Sequence, residues 1–148
     1  MTNVTKSIEI AASPEKVFAF LLDNKKMNEA SKGFSKYEYI TSGPVGEGTK
    51  MHYVTGSGAS TMEFDSEVIE FVKNEKFVSH TIGDSKFKGT VTITLEPITK
   101  GTRLNYLMDY KMPYSVIGKL IDKVSVHKKM EAGISNALEN GKKAIEES

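Results

Sequence analysis

Apolar and polar positions alternate along residues 4–11, VTKSIEIA, with Ile8 and Ile10 on one side and Ser7 and Glu9 on the other. That is the period of a half-buried strand. Ser13-Pro14-Glu15 follows, joining a hydroxyl N-cap, a proline at the first helical position and an acid in the first turn, which predicts a helix start. Val17, Phe18, Leu21 and Leu22 form its apolar face, and the polar stretch 23–33, DNKKMNEASKG, predicts a turn and a second short helix before Gly33. From Phe34 to Met112 the chain reads as consecutive strands broken by turns at 43–48, 56–60, 73–76, 83–85 and 98–101, an antiparallel meander. Near its end, Phe87, Val91, Ile93 and Leu95 share one face while Lys86, Lys88, Thr90, Thr92, Thr94 and Glu96 share the other. Leu104, Tyr106, Met108, Tyr110 and Met112 likewise oppose Arg103, Asn105, Asp109 and Lys111, so one sheet face is dry and one is wet. Pro113 closes this region, and residues 115–147 carry Ile117, Leu120, Ile121, Val124, Ile134, Leu138 and Ile145 at helical spacing. Gly118 and Gly133 mark a bend or a close contact in that helix.

The glycine-rich stretch GPVGEGTK, residues 43–50, invites comparison with a phosphate loop. Such a loop places lysine directly after its last glycine, then a hydroxyl, on the first turn of a helix. Here Thr49 precedes Lys50 and the following MHYVT is strand-like, so the anion-binding helix N-terminus is missing and a turn between strands is expected.

Elements in the order strand, two short helices, six strands and a long final helix leave a single cover for the dry sheet face. That cover is the final helix, since no other element has an apolar stripe long enough. The expected fold is α+β: an antiparallel sheet of six or seven strands wrapped round a long C-terminal helix, with space for a pocket at the open end. At 148 residues the chain suits one domain over 1–148, large enough for a core and a cavity.

The helix start SPEKVFAFL, the hairpin GPVGEGTKMHY, the segment EVIEFVKNEKFVSHTI, the hairpin GTVTITLEPITKGTRLNYLMDY and the final amphipathic helix together resemble the START-like, or SRPBCC, superfamily. Within it they are most similar to the polyketide cyclase/dehydrase and lipid-transport group. The resemblance spans nearly the whole chain and implies a helix-grip, START- and Bet v 1-like fold around an apolar cavity for a lipid, polyketide or aromatic ligand. It also implies that GPVGEG lies near the cavity mouth. Many relatives carry a tryptophan after the first helices; this chain has none.

Twenty basic residues against nineteen acidic ones give a net charge of +1, and Arg103 is the single arginine. Neither a global field nor a bidentate fork favours nucleic acid. No cysteine is present, which removes disulfides and thiolate metal sites and suits a cytoplasmic location. No apolar run reaches the roughly 20 residues of a membrane span. Three scattered histidines lack metal-ligand spacing, no nucleophile motif occurs, and no cofactor is implied. Lys119, Lys123, Lys128 and Lys129 form a solvated face, or a patch for transient contact with acidic lipid head groups. The oligomeric state is not encoded in these patterns.

Candidate ligand-binding residues are Met51, Tyr53, Met62, Phe64, Phe87, Val91, Tyr106, Met108 and Tyr110 from the dry face, with Ile121, Val124 and His127 from the helix. Each also fits an ordinary core position. The mixture of Met and Tyr, however, suits an adaptable pocket better than a core built only for density. His127 lies on the helix stripe with Glu131 one turn on. It is either a boundary histidine with a surface partner, or a cavity anchor or general acid/base whose tautomer Glu131 holds. His127 and Glu131 are thus the catalytic candidates; His52 is expected to face water, and His80 can face either way. Three functions follow: binding or transport of a small hydrophobic ligand, an aromatase/cyclase or dehydratase using His127, or a co-chaperone or stress-linked interaction protein.

Overall fold

The computed structural model describes residues 2–33, 35–56, 61–85, 87–111 and 123–148, the first four of the last segment by backbone alone. Strand β1 is Thr2–Ile10, and the turn after it leads to Ser13, whose side chain accepts the Lys16 N–H at 3.2 Å. This cap, with Pro14 at the first position, starts α1 over Pro14–Leu22. Asp23 ends α1 and caps α2, Asn24–Ala30, by accepting the Lys26 N–H at 3.1 Å. One residue thereby makes a sharp corner between the helices.

The meander follows as β2 (Ser35–Tyr39), β3 (Lys50–Thr55), β4 (Met62–Val72), β5 (Lys76–Ile82), β6 (Lys88–Ile98) and β7 (Gly101–Lys111). All pairings are antiparallel, and the seven strands stand in the order β1-β7-β6-β5-β4-β3-β2. The first strand therefore closes on the last, as the helix-grip fold requires. Gly101 makes the β6–β7 turn possible: its φ is +142°, and a Cβ there would stand 2.3 Å from the Ile10 carbonyl oxygen.

Helix α3, Lys123–Glu147, crosses the concave face. Ile145 joins Ile10, Val17, Phe18, Phe20, Leu95 and Leu104 in the main core, while Ile134 packs with Val4, Phe87 and Tyr110. Gly133 is buried, and the helix runs through it without a break. Gly118 and the expected helical positions 115–122 lie outside the described residues. No described helix is long and apolar enough to cross a membrane.

The glycine-rich stretch joins β2 to β3 with Gly43 and Gly48 at φ 93° and 90°, a turn as expected. Residues 43–48 are not among those lining the cavity. The loop leaves the Tyr39/Met51 end of the hairpin, whereas Ser35, Tyr37, Tyr53 and Thr55, nearer the opposite end, line the cavity. Hydrogen bonds from Gly48 N–H to Val68 O and from Val68 N–H to Thr49 O, both 2.8 Å, fold the loop back along β4.

Four further hydrogen bonds hold the helical corner to the sheet edge. Tyr37 and Tyr39 donate their hydroxyls to the Leu21 and Leu22 carbonyls at 2.8 and 2.7 Å. The Tyr37 N–H donates to Asn28 Oδ1 at 3.0 Å, and Asn28 Nδ2 donates back to the Tyr37 carbonyl at 3.2 Å. The Asn28 amide thus replaces a missing strand neighbour on the outer edge of β2.

Candidate functional site

A cavity of about 240 Å³ lies between the concave sheet face, the α1–α2 corner and α3. Of the expected ligand-binding residues it brings together Tyr53, Met62, Phe64, Phe87, Val91, Tyr106 and Met108. Met51 is not on its wall, being buried with Tyr37 and Val68. Tyr110 stands behind Phe87, the two rings stacked with centroids 6.2 Å apart. Ile121 lies outside the described residues, and the side chain of Val124 is likewise not described.

His127 is also off the wall. Its Nδ1 is 3.0 Å from the Tyr110 hydroxyl, and its Nε2 is 3.6 Å from Glu131, which also meets Lys6 at 3.7 Å. The expected His127–Glu131 pair exists, but it faces the α3–β1 seam. His52 pairs with Asp65 at 2.7 Å and its side chain is 41% exposed, in keeping with a water-facing position. His80 contributes to the wall, but its Nε2 points to Glu67 at 3.9 Å.

Aromatic rings form a continuous series across the concave face. Tyr37, Tyr53 and Phe64 are direct cross-strand neighbours, each successive pair of centroids 5.3 Å apart, and the Tyr53 and Phe64 planes are within 7°. Phe87 continues the series 5.1 Å from Phe64. Offset stacks of this kind are worth about 0.5–1.5 kcal/mol each beyond area burial.

Sequence reasoning missed the lining from the helical corner, Phe18, Leu21, Leu22 and Met27, and the hydroxyls of Ser66 and Ser79. In the sequence Phe18, Leu21 and Leu22 read only as the apolar face of the first helix, and Met27 only as part of the polar stretch 23–33. Ser66 did carry a signal: it follows Met62 and Phe64 at the inward parity of β4 and is polar. The cavity raises the pKa of Tyr53 and Tyr106, foremost because burial penalises the phenolate. Both therefore hold their protons at neutral pH and act as hydrogen-bond donors. Among the described residues no group of three or more His, Asp or Glu could hold a metal ion.

A family model described as polyketide cyclase / dehydrase and lipid transport matches residues 1–146. No curated protein is similar enough in sequence to count as a match. Among solved structures, TTHA0849 from Thermus thermophilus is similar with a TM-score of 0.82 at 18% identity, covering 97% of each chain. CV1439 from Chromobacterium violaceum has a TM-score of 0.71 at 18% identity, again over 97% of each chain. The di-domain ARO/CYC StfQ from the steffimycin biosynthetic pathway has a TM-score of 0.77 at 15% identity; the match covers 98% of this chain and 50% of that one. At these identities the likeness shows the shared fold.

Proposed function

Because the chain belongs to the polyketide cyclase/dehydrase and lipid-transport family, we propose that it binds a small, flat, largely apolar ligand in the concave cavity, as a carrier or sequestering protein. The observation that carries this reading is the 240 Å³ space walled by stacked aromatic and aliphatic side chains. An apolar cavity of about 150 Å³ accepts benzene, so this one suits a ligand of roughly one or two rings. Burying about 300 Å² of such a ligand, somewhat more than one aromatic side chain buries, is worth about 7 kcal/mol. Association costs at least about 4 kcal/mol. Area alone therefore leaves weak binding, and the wall hydroxyls must add affinity and orientation.

Native mass spectrometry and solvent extraction of the purified protein, followed by thermal-shift screening against aromatic and lipid compounds, test this. A co-purifying small molecule or a concentration-dependent rise in Tm supports it. An empty protein that no compound in either class stabilises overturns it.

Turnover is the second reading, favoured by the family and by the ARO/CYC neighbour. In this chain the acid/base candidate His127 is turned to Tyr110 and Glu131, away from the cavity wall. The wall offers hydroxyl donors, and its one histidine among the described residues, His80, turns Nε2 to Glu67 at 3.9 Å, which suits binding better than proton abstraction. For a co-chaperone or interaction protein, the large exposed apolar residues among those described are Ile40, Ile69 and Val72, too few for an extended docking patch.

A further inference from the structure

Ser66 presents a polar group where the cavity offers it nothing. Its residue is 3% exposed, its Oγ has no hydrogen-bond partner among the described residues, and it lines the cavity. Leaving a buried hydroxyl unpaired is costly, and native proteins rarely do so without cause. Its neighbour across β4–β5, Thr81, is by contrast satisfied, accepting from the Gly89 N–H at 3.0 Å and donating to the Gly89 carbonyl at 3.2 Å.

A second hydroxyl is held close by. Tyr53 tips its OH back towards Met51 Sδ at 3.8 Å, a weak acceptor, and Met51 is the direct cross-strand neighbour of Ser66. Tyr53 itself opposes Phe64, two residues before Ser66, so Tyr53 and Ser66 are diagonal neighbours on the same sheet face, about 7–8 Å apart and within reach of a tyrosine side chain, and both line the cavity. Beside them on the wall lies the Phe64 ring, packed between Tyr53 and Phe87.

Positive charge does not reach this sector. Of the described lining residues, Lys142 and His80 are the two that can carry it. The Lys142 ammonium is held by the Glu9 carbonyl at 2.6 Å and Glu146 at 2.9 Å, and His80 turns to Glu67. A carboxylate entering the cavity would lose its water and gain no counter-ion.

Resting on the ligand-binding function above, we infer that Ser66 and Tyr53 form a polar anchor for one neutral oxygen, a carbonyl or hydroxyl, of an otherwise apolar ring ligand lying against the Phe64 side of the cavity. The anchor sets which end of the ligand points inward, and it selects uncharged ring compounds over fatty-acid-like anions.

Matched compounds test it: 1-indanone, indane and indane-1-carboxylate, titrated into the intact protein and its S66A and Y53F variants by calorimetry. The ketone is expected to bind roughly three- to tenfold more tightly than the hydrocarbon, with the ratio falling to within about twofold in S66A and narrowing in Y53F. Ligand-free S66A should also melt roughly 2–4 °C higher, because it removes an unpaired buried hydroxyl; a purely structural serine would lower it. Equal binding of ketone and hydrocarbon, a ratio unchanged in both variants, a lower S66A midpoint, or tightest binding of the carboxylate overturns the anchor while the cavity function stands. Binding of none of the three overturns the anchor, and the cavity function falls with it only if the aromatic and lipid screen also finds no ligand.

Discussion

The Tyr110 hydroxyl and His127 Nδ1 lie 3.0 Å apart, with the two rings nearly parallel at 15°. This contact ties α3 to β7 and ends the aromatic series that begins at Tyr37. When Nε2 carries the ring proton towards Glu131, Nδ1 accepts from the phenol, so one tautomer satisfies both neighbours.

His127→Ala should therefore act on stability and spare the cavity. Loss of one hydrogen bond predicts about 1 kcal/mol of destabilisation, read from urea midpoints. Ligand affinity should change less than about twofold, within what the loss of a contact off the wall implies. A collapse of binding without a stability change would return His127 to the cavity as an anchor.

Asn28→Ala removes the side chain that completes the β2 edge. The Tyr37 N–H loses its partner, and its carbonyl keeps only the longer contact from Asn24 Nδ2 at 3.4 Å. About 1–3 kcal/mol of stability should be lost, with faster hydrogen exchange at the Tyr37 amide. An unchanged exchange rate would mean that the edge is not held by Asn28.

Gly101→Ala should be among the most damaging single substitutions. The added Cβ would meet the Ile10 carbonyl at 2.3 Å and the Ala12 nitrogen at 2.7 Å, at a φ of +142°. Expected destabilisation is several kcal/mol, enough to unfold much of a marginally stable domain. Gly46→Ala, with nothing within 4 Å, is the matched control and should stay within about 0.5 kcal/mol. Circular dichroism melts of the pair check the contrast.

Alkaline pH should destabilise the fold through its tyrosines. Burial raises the pKa of Tyr37, Tyr53 and Tyr106 above the ordinary 10.0. The folded state then holds these protons more tightly than the unfolded state does. Their contribution is complete below the unfolded value and declines as pH rises beyond it. Unfolding midpoints should be flat near neutrality and drop above pH 10, while absorbance near 295 nm shows these phenols ionising only as the chain unfolds. Ionisation of all tyrosines near pH 10 without unfolding would contradict their burial.

Element order and strand faces were legible in the residues themselves, because backbone period and side-chain polarity are local properties. The SPE cap, the alternation of Leu104, Tyr106 and Met108, and the turn glycines needed no partner to declare themselves. Which inward residues line space and which fill it was decided only by tertiary packing. Met51 and Tyr53 share a face of β3, yet Met51 is sealed beneath Tyr37 and Val68 while Tyr53 borders the cavity. His127 sat on the apolar stripe, but the rotation of α3 on the sheet sends its ring to Tyr110. Ser66 was visible as a polar residue at an inward position, and only the surrounding strands leave its hydroxyl without a partner. Alternation reports which way a side chain points; whether it meets another atom there depends on residues far away in the chain.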